Sequence, residues 1–273
     1  MASDRDLSAL AERVRTLAHR AGEAIVEIYQ QADHQVVTKS DASPLTAADL
    51  ASHRCIVEGL EALDPSIPVL SEEGADRPYS ERSSWNRFWL VDPLDGTKEF
   101  VKRNGEFTVN IALVEDGVPV LGVVHAPVVG RTYWGGQGLG AFLQEGEGDP
   151  RTIEAGGTGD ATLAVVASRS HAGEHLKAFL ADLGDHRLVS MGSSLKLCLV
   201  AEGAADLYPR LGPTMEWDTA AAHGVVLAAG GRVLDYAGNP LQYNKENLLN
   251  PFFIVLGTRQ IPWQRAYGAT GLA

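Results

Sequence analysis

The segments FTVNIALVE and VPVLGVVHAPV are separated only by Asp116-Gly117. An Asp-Gly pair between two runs rich in Val, Ile and Leu is a strong signal for a tight β-hairpin. It commits the middle of the chain to an antiparallel sheet. IPVL and RFWLV before it, and RTYWGG and GAFLQ after it, read as further short strands. Ahead of the sheet, Leu7, Leu10, Val14, Leu17, Ala21, Ile25 and Ile28 recur at three- and four-residue steps, which predicts an amphipathic helix over about 3–31. A second helix is expected from Thr46 to about residue 63, ending before Asp64-Pro65. There TAAD sets a hydroxyl at Thr46 and an acid at Asp49, a near match to a capping box that puts Asp49 in the first turn.

The stretch EGEGDPRTIEAGGTGD is rich in Gly and charge and marks a subdomain boundary. Beyond it the strands ATLAVVAS, HRLVSMG, ADLYPR, GRVLDY and FFIVLG alternate with the helices AGEHLKAFLADLG, SLKLCLVAEG and TAAAHGVVLAAGG. The expectation is a layered α/β protein: an α+β subdomain over 1–148, then a smaller α/β subdomain over 149–273. With 273 residues there is ample length for a buried core. No apolar run reaches the roughly 18 residues of a membrane span. MASDRDLSALAERVR has no apolar segment of the secretory kind, which points to the cytoplasm. Cys55 and Cys198 fall in helix-like apolar patterns and are expected as core thiols, not a disulfide. The net charge of −12, with no basic stripe, excludes polymeric nucleic acid as a partner. A small phosphorylated ligand stays open, because acids hold divalent cations and those cations hold phosphate.

Carboxylates stand at several element ends. Glu72 and Glu73 follow IPVL, Asp92 and Asp95 follow FWLV, Asp218 stands where a helix should begin, and Asp49 lies near the start of another. Each has a bland reading, as a helix cap, a solvated loop or a turn. Jointly they form a set of hard oxygen ligands, which suits Mg²⁺. In DPLDG the proline stiffens the turn, so Asp92 and Asp95 can address neighbouring ions while the Leu94 carbonyl supplies a neutral oxygen. The Gly96 and Thr97 amides are available to a phosphate oxygen, more so if Thr97 starts a helix. The Thr97 hydroxyl, bonded to a carboxylate, is suited to proton transfer. These are the parts for two-metal phosphate ester hydrolysis.

SEEG, DPLDGT and WDTAA, in this order and spacing, resemble the lithium-sensitive, magnesium-dependent phosphatase superfamily. Inositol monophosphatase, fructose-1,6-bisphosphatase and 3'(2'),5'-bisphosphate nucleotidase belong to it. The resemblance implies a layered αβαβα sandwich. DGTKEF, KRNGEFTVNIAL, LGVVHAPV, SRSH (168–171) and GSSLKLCLVAEGAADLYPRLGPT (192–214) are similar to the bacterial CysQ-type nucleotidase branch. That likeness implies roles. Glu72, Asp92 and the Leu94 carbonyl hold one Mg²⁺, and Asp92, Asp95 and Asp218 hold a second. Glu73 is the runner-up to Glu72. Asp49 and Thr97 activate the attacking water, with or without a third ion. The Gly96 and Thr97 amides position the 3'-phosphate, and Glu72, Leu94, Asp95 and Asp218 border the substrate as well. Ser193 or Ser194, Lys196 and Arg210 grip the 5'-phosphate, Arg210 bidentately, and His171 contacts the nucleotide unless it is a plain surface histidine.

The implied substrate is adenosine 3',5'-bisphosphate, giving AMP and phosphate, with 3'-phosphoadenosine 5'-phosphosulfate as a second candidate. The implied role lies in sulfur assimilation, in the cytoplasm or at the inner face of its membrane, as a monomer or a homodimer. One departure is Ala222, where WDTAAA replaces the family's final glycine. Two rivals stay in view: a sugar or inositol phosphatase of the same superfamily, and a nucleotide-binding protein without turnover.

Overall fold

The computed structural model describes residues 4–31, 44–74, 77–167 and 173–272, so SRSH with its His171 lies outside the described residues. Helix α1, Asp4–Gln31, follows the three-and-four periodicity along its length. Helix α2, Pro44–Leu63, starts two residues earlier than expected. A proline suits the first position of a helix, where its missing N–H costs nothing. Thr46 is therefore helical instead of a cap, and Asp49 lies in the second turn, not the first.

The next strands are β1 (Val69–Ser71), β2 (Arg87–Asp95), β3 (Thr108–Glu115), β4 (Val118–Ala126), β5 (Arg131–Gly136), β6 (Gly140–Glu145) and β7 (Arg151–Ile153). They form a sheet in chain order, antiparallel except for β1 against β2. Asp116 and Gly117 at the β3–β4 hairpin both take positive φ, 48° and 78°, as a type I′ turn requires. The strand β7 forms within the stretch rich in Gly and charge. The short helices α3 (Tyr79–Arg82) and α4 (Thr97–Val101) interrupt the strand order around β2.

The rest of the chain holds β8 (Leu163–Ala167), α5 (Glu174–Leu183), β9 (His186–Ser190), α6 (Leu195–Ala201), β10 (Leu207–Arg210), α7 (Ala220–Ala228), β11 (Arg232–Asp235), β12 (Phe253–Leu256) and α8 (Trp263–Gly268). These strands form a second, mixed sheet in the order β11-β12-β10-β8-β9. Three apolar clusters mark the layers. Leu17, Ile25 and Ile56 of α1 and α2 pack on Trp89, Val91 and Ile111, the outer face of the first sheet. Leu90, Ala112 and Val124 on its inner face meet α6, α7 and the inner face of the second sheet. Phe179 of α5 and Trp263 of α8 cover the far face of the second sheet. The order is thus helix, sheet, helix, sheet, helix, the expected αβαβα sandwich. Both cysteines are free thiols. No described helix is long and apolar enough to cross a membrane.

Helix α7 crosses the first sheet at very short range. A Cβ built on Gly122 of β4 would stand 1.9 Å from the Ala221 carbonyl oxygen, and Gly224 has the Gly122 amide nitrogen 3.1 Å from where its own Cβ would be. Ala222 is fully buried in this layer, so its methyl is accommodated. This contact sets the height of the chain just before α7, where Asp218 lies. Gly122→Ala is expected to destabilise the fold by about 3 kcal/mol, the upper end of ordinary overpacking. Chemical denaturation measures it, with Gly156→Ala, at an open position of ordinary backbone conformation, as a comparison.

Candidate active site

Strand β2 does not stop at FWLV. It runs on to Asp95, and its register against β3 slips: Asp92 pairs with Asn110, whereas Asp95 pairs with Thr108. Three steps on β2 match two on β3, which is a β-bulge. In a regular strand, residues three apart point to opposite faces. The extra residue restores the parity. Phe88 and Leu90 lie on the inner face and Trp89 and Val91 on the outer, yet Leu94 joins the outer core. Asp92 and Asp95 consequently share the inner face with Asn110 and Thr108.

The bulge is pinned from two sides. Ser52 Oγ of α2 donates to the Pro93 carbonyl at 2.8 Å, and the Leu94 amide donates to Asp92 Oδ1 at 3.0 Å. Gly96 follows with φ 99°, and a Cβ there would meet the Glu106 carbonyl oxygen and Phe107 Cα at 3.2 Å. Only glycine takes this conformation without strain. Thr97 then opens α4, the condition under which its amide and that of Gly96 sit at a helix start.

Glu72 enters from the end of the parallel neighbour β1, in a single 3₁₀ turn. His53 of α2 shares a hydrogen bond of 2.8 Å with the Ser71 hydroxyl just before it. Asp218 enters from the turn ahead of α7. It is not the helix cap, a place held by Thr219. Its Oδ2 accepts the Met215 amide at 2.8 Å. The carboxylates of Glu72, Asp92 and Asp218 offer ligand atoms that all lie within 4.8 Å of one another. Burial, with Asp95, Glu72, Asp218 and Asp49 around it, pushes the Asp92 carboxyl well above its usual range. Burial and Asp95 push Asp218 up to about 7, against the pull of the Met215 amide. Three hard oxygen donors held close against their own repulsion suit a divalent cation such as Mg²⁺. Asp49 is buried on α2, and Glu73 is not among the three.

Asp95, the nearest charged neighbour of Asp92 and Asp218, is also tied to the second half of the chain. Its Oδ2 accepts the Ser194 amide at 2.6 Å, and Ser194 Oγ bonds to Asn110 and Thr108 at 2.8 Å. A pocket opens here, lined by Asp95, Ser193, Lys196, Tyr208, Arg210 and Asp218 among others. The Lys196 ammonium lies 5.9 Å from the Tyr208 ring centroid. Burial lowers its pKa and Asp95 opposes that shift. Arg210 donates Nε to the Gly212 carbonyl at 3.2 Å, Nη2 to the Pro213 carbonyl at 2.8 Å and Nη1 to the Tyr208 hydroxyl at 3.4 Å. One N–H on each terminal nitrogen is left over from its five.

Ser193 sits at φ 44°, unusual for a residue with a side chain, and its buried hydroxyl has no partner among the described residues. Strain and an unanswered buried hydroxyl at one residue set it apart in the lining of this pocket. Asn110 and Thr108 escaped the sequence reading. Their signal, polar residues inside the apolar run FTVNIALVE, was visible but had no partner to explain it.

The inositol monophosphatase family profile matches residues 6–253. The chain belongs to the inositol monophosphatase family. Among curated relatives, the 3'(2'),5'-bisphosphate nucleotidase CysQ of Escherichia coli O157:H7 is 53% identical over 249 residues, 90% of this chain and 99% of that protein. The protein of the same name from Haemophilus influenzae is 37% identical over 260 residues, 94% of this chain and 96% of that protein. The crystal structure of CysQ from Bacteroides thetaiotaomicron superposes with a TM-score of 0.84 at 46% identity, covering 92% of this chain and 98% of that one. An inositol monophosphatase from Zymomonas mobilis gives 0.74 at 25% identity, covering 96% and 98%. The family fold and the acidic cluster are thus found in one chain.

A raised pKa means that a cation must displace a proton. For Asp218, held near 7, the ion-free protein gains stability from the protonated form below about pH 4 and loses it as pH rises through 7. Mg²⁺ affinity runs the opposite way. Its dissociation constant, read by calorimetry, should rise roughly tenfold per pH unit below 7 for each proton displaced and level off above 8.

Proposed function

We propose that the protein is a magnesium-dependent 3'(2'),5'-bisphosphate nucleotidase that hydrolyses adenosine 3',5'-bisphosphate to AMP and phosphate. The observation that carries the reading is a meeting of two signs: Asp218 of the acidic cluster lines the same pocket as Lys196 and Arg210. The identity to CysQ proteins supports the same choice. Glu72, Asp92 and the Leu94 carbonyl would hold one Mg²⁺, and Asp92, Asp95 and Asp218 a second, with room in the reading for a third near Asp49. Bound Mg²⁺ would supply positive charge to the phosphoryl oxygens and acidify water.

The side chains do the rest. Asp49 accepts the proton that the Thr97 hydroxyl passes on. The Gly96 and Thr97 amides orient the 3'-phosphate. Lys196, Arg210 and the unanswered Ser193 hydroxyl hold the 5'-phosphate, with the two remaining Arg210 N–H groups suited to a bidentate grip. In this reading residues 1–148 bring most of the cation ligands, and 149–273 bring Asp218 and the nucleotide-binding groups. The same scheme admits 3'-phosphoadenosine 5'-phosphosulfate, fits a cytoplasmic role in sulfur assimilation, and implies inhibition by Li⁺.

Phosphate release from adenosine 3',5'-bisphosphate and inositol 1-phosphate, measured side by side with Mg²⁺, tests the reading. Strong preference for the nucleotide, with turnover inhibited by Li⁺, is expected; preference for the inositol ester would move the assignment to the inositol branch. Arg210→Gln should lower kcat/KM for the bisphosphate by roughly 10–100-fold, as loss of a charged hydrogen bond does. It should leave inositol 1-phosphate turnover nearly unchanged.

A further inference from the structure

Glu216, two residues before Asp218, is fully buried. Its Oε2 accepts the Asn244 amide at 2.6 Å and its Oε1 accepts the Lys245 amide at 3.0 Å. Lys245 Nζ donates to Oε1 as well, and to the Gln242 carbonyl at 3.0 Å. Residues 243–250 have no helix or strand, yet they are bound to the Asp218 turn along its whole length. The Glu216 amide donates to the Leu248 carbonyl at 2.9 Å, and Asn250 Nδ2 donates to the Met215 carbonyl at 2.8 Å and to Thr219 Oγ1 at 3.1 Å.

The other edge of this strap reaches the first sheet. Arg82 is buried in α3, on the connection between Glu72 and Asp92. It donates Nη1 to Asn244 Oδ1 at 3.0 Å and to the Lys245 carbonyl at 2.8 Å, and Nη2 to the Glu246 carbonyl at 2.9 Å. Asn244 Nδ2 returns a bond to the Arg82 carbonyl at 2.7 Å. Asn244 holds φ 67°, a left-handed conformation that asparagine tolerates and most residues do not.

We propose that Glu216, with Lys245 and Asn244, is a positioning unit for divalent-cation binding: it fixes the Asp218 turn, from between the sheets, against the Glu72–Asp92 connection. The inference rests on the reading of Glu72, Asp92 and Asp218 as cation ligands. With Glu216 fully buried and Lys245 half-buried, the ion pair is a poor source of stability, because desolvation of the carboxylate offsets the attraction. What it does supply is a fixed geometry on both sides of the gap that the cluster spans. Carboxylates that repel one another need such a frame, since without it the Asp218 turn relaxes outward and the ligand atoms separate. Partners behind metal ligands change cation affinity by roughly 10–100-fold when removed.

The test is calorimetric titration of Mg²⁺ into ion-free protein at pH 8, with folding followed by thermal melting. Glu216→Gln should retain a cooperative melt while its Mg²⁺ dissociation constant rises about 10–100-fold. Adding Lys245→Met to that variant should cost less than the two single losses together, because the half-buried ammonium has already lost its carboxylate; a double-mutant cycle reads the coupling. Asn244→Gly keeps the left-handed backbone but cuts the tie to Arg82, and should weaken Mg²⁺ binding in the same direction; it carries the test should Glu216→Gln not fold. A folded variant of either kind that binds Mg²⁺ within about twofold of the parent would reduce the network to ordinary scaffolding. A parent protein that binds no Mg²⁺ overturns the ligand reading together with this one, so the two failures are distinguishable.

Discussion

Carboxylates brought together out of water repel one another, and the protein is arranged to hold them there. Glu72, Asp92 and Asp218 come from a strand end, a bulged strand and a turn between the two sheets. None is a neighbour of another in sequence. What counters their repulsion is local and specific: the Leu94 amide on Asp92, the Met215 amide on Asp218, and the hydrogen bonds from α2 that hold the Pro93 and Ser71 positions. Behind these stands the close approach of α7 to Gly122, which no larger residue permits. Such a site is destabilising until a cation fills it, and its elevated carboxyl pKa values express the same cost.

The second property of the cleft is its asymmetry of charge. The chain carries a net charge of −12, yet Lys196 and Arg210 share a pocket. They lie beyond Asp95, whose carboxylate borders both halves of the cleft. A ligand with two separated phosphates would meet cations at both ends, some borne by the protein and some held by its carboxylates. Arg210 is held by three bonds to its own loop and Tyr208, which fix its guanidinium in the pocket wall.

Much of this was legible in the sequence because it is written in local chemistry. Asp116-Gly117 announced the hairpin, the spacing of Leu7 to Ile28 announced α1, and DPLDGT announced a charged turn after an apolar strand. Layering as such followed from where amphipathic helices flank strands, and the αβαβα order from the family resemblance. What escaped depends on pairing across the sheet or between distant segments. That Asp92 and Asp95 share a face follows from a register slip against Asn110 and Thr108, and no feature of DPLDGT alone records it. The expected cap at Thr46 gave way to Pro44, an equally good helix opener two residues earlier. Glu216 and Lys245 are 29 residues apart, and nothing local to either pairs them, yet Glu216 is fully buried beneath Lys245. The positive φ of Ser193 had no signal, since serine ordinarily avoids it.

The central claim is that a built-in electrostatic strain at the carboxylate cluster is relieved by a divalent cation. The most direct measurement is the melting temperature of Asp218→Asn at pH 8, with and without Mg²⁺, beside the parent protein. An asparagine oxygen can still accept the Met215 amide, so the substitution removes charge while sparing the turn. The account predicts a higher melting temperature than the parent without Mg²⁺ and a much smaller rise when Mg²⁺ is added. A lower melting temperature without Mg²⁺, with the full rise retained, would contradict it.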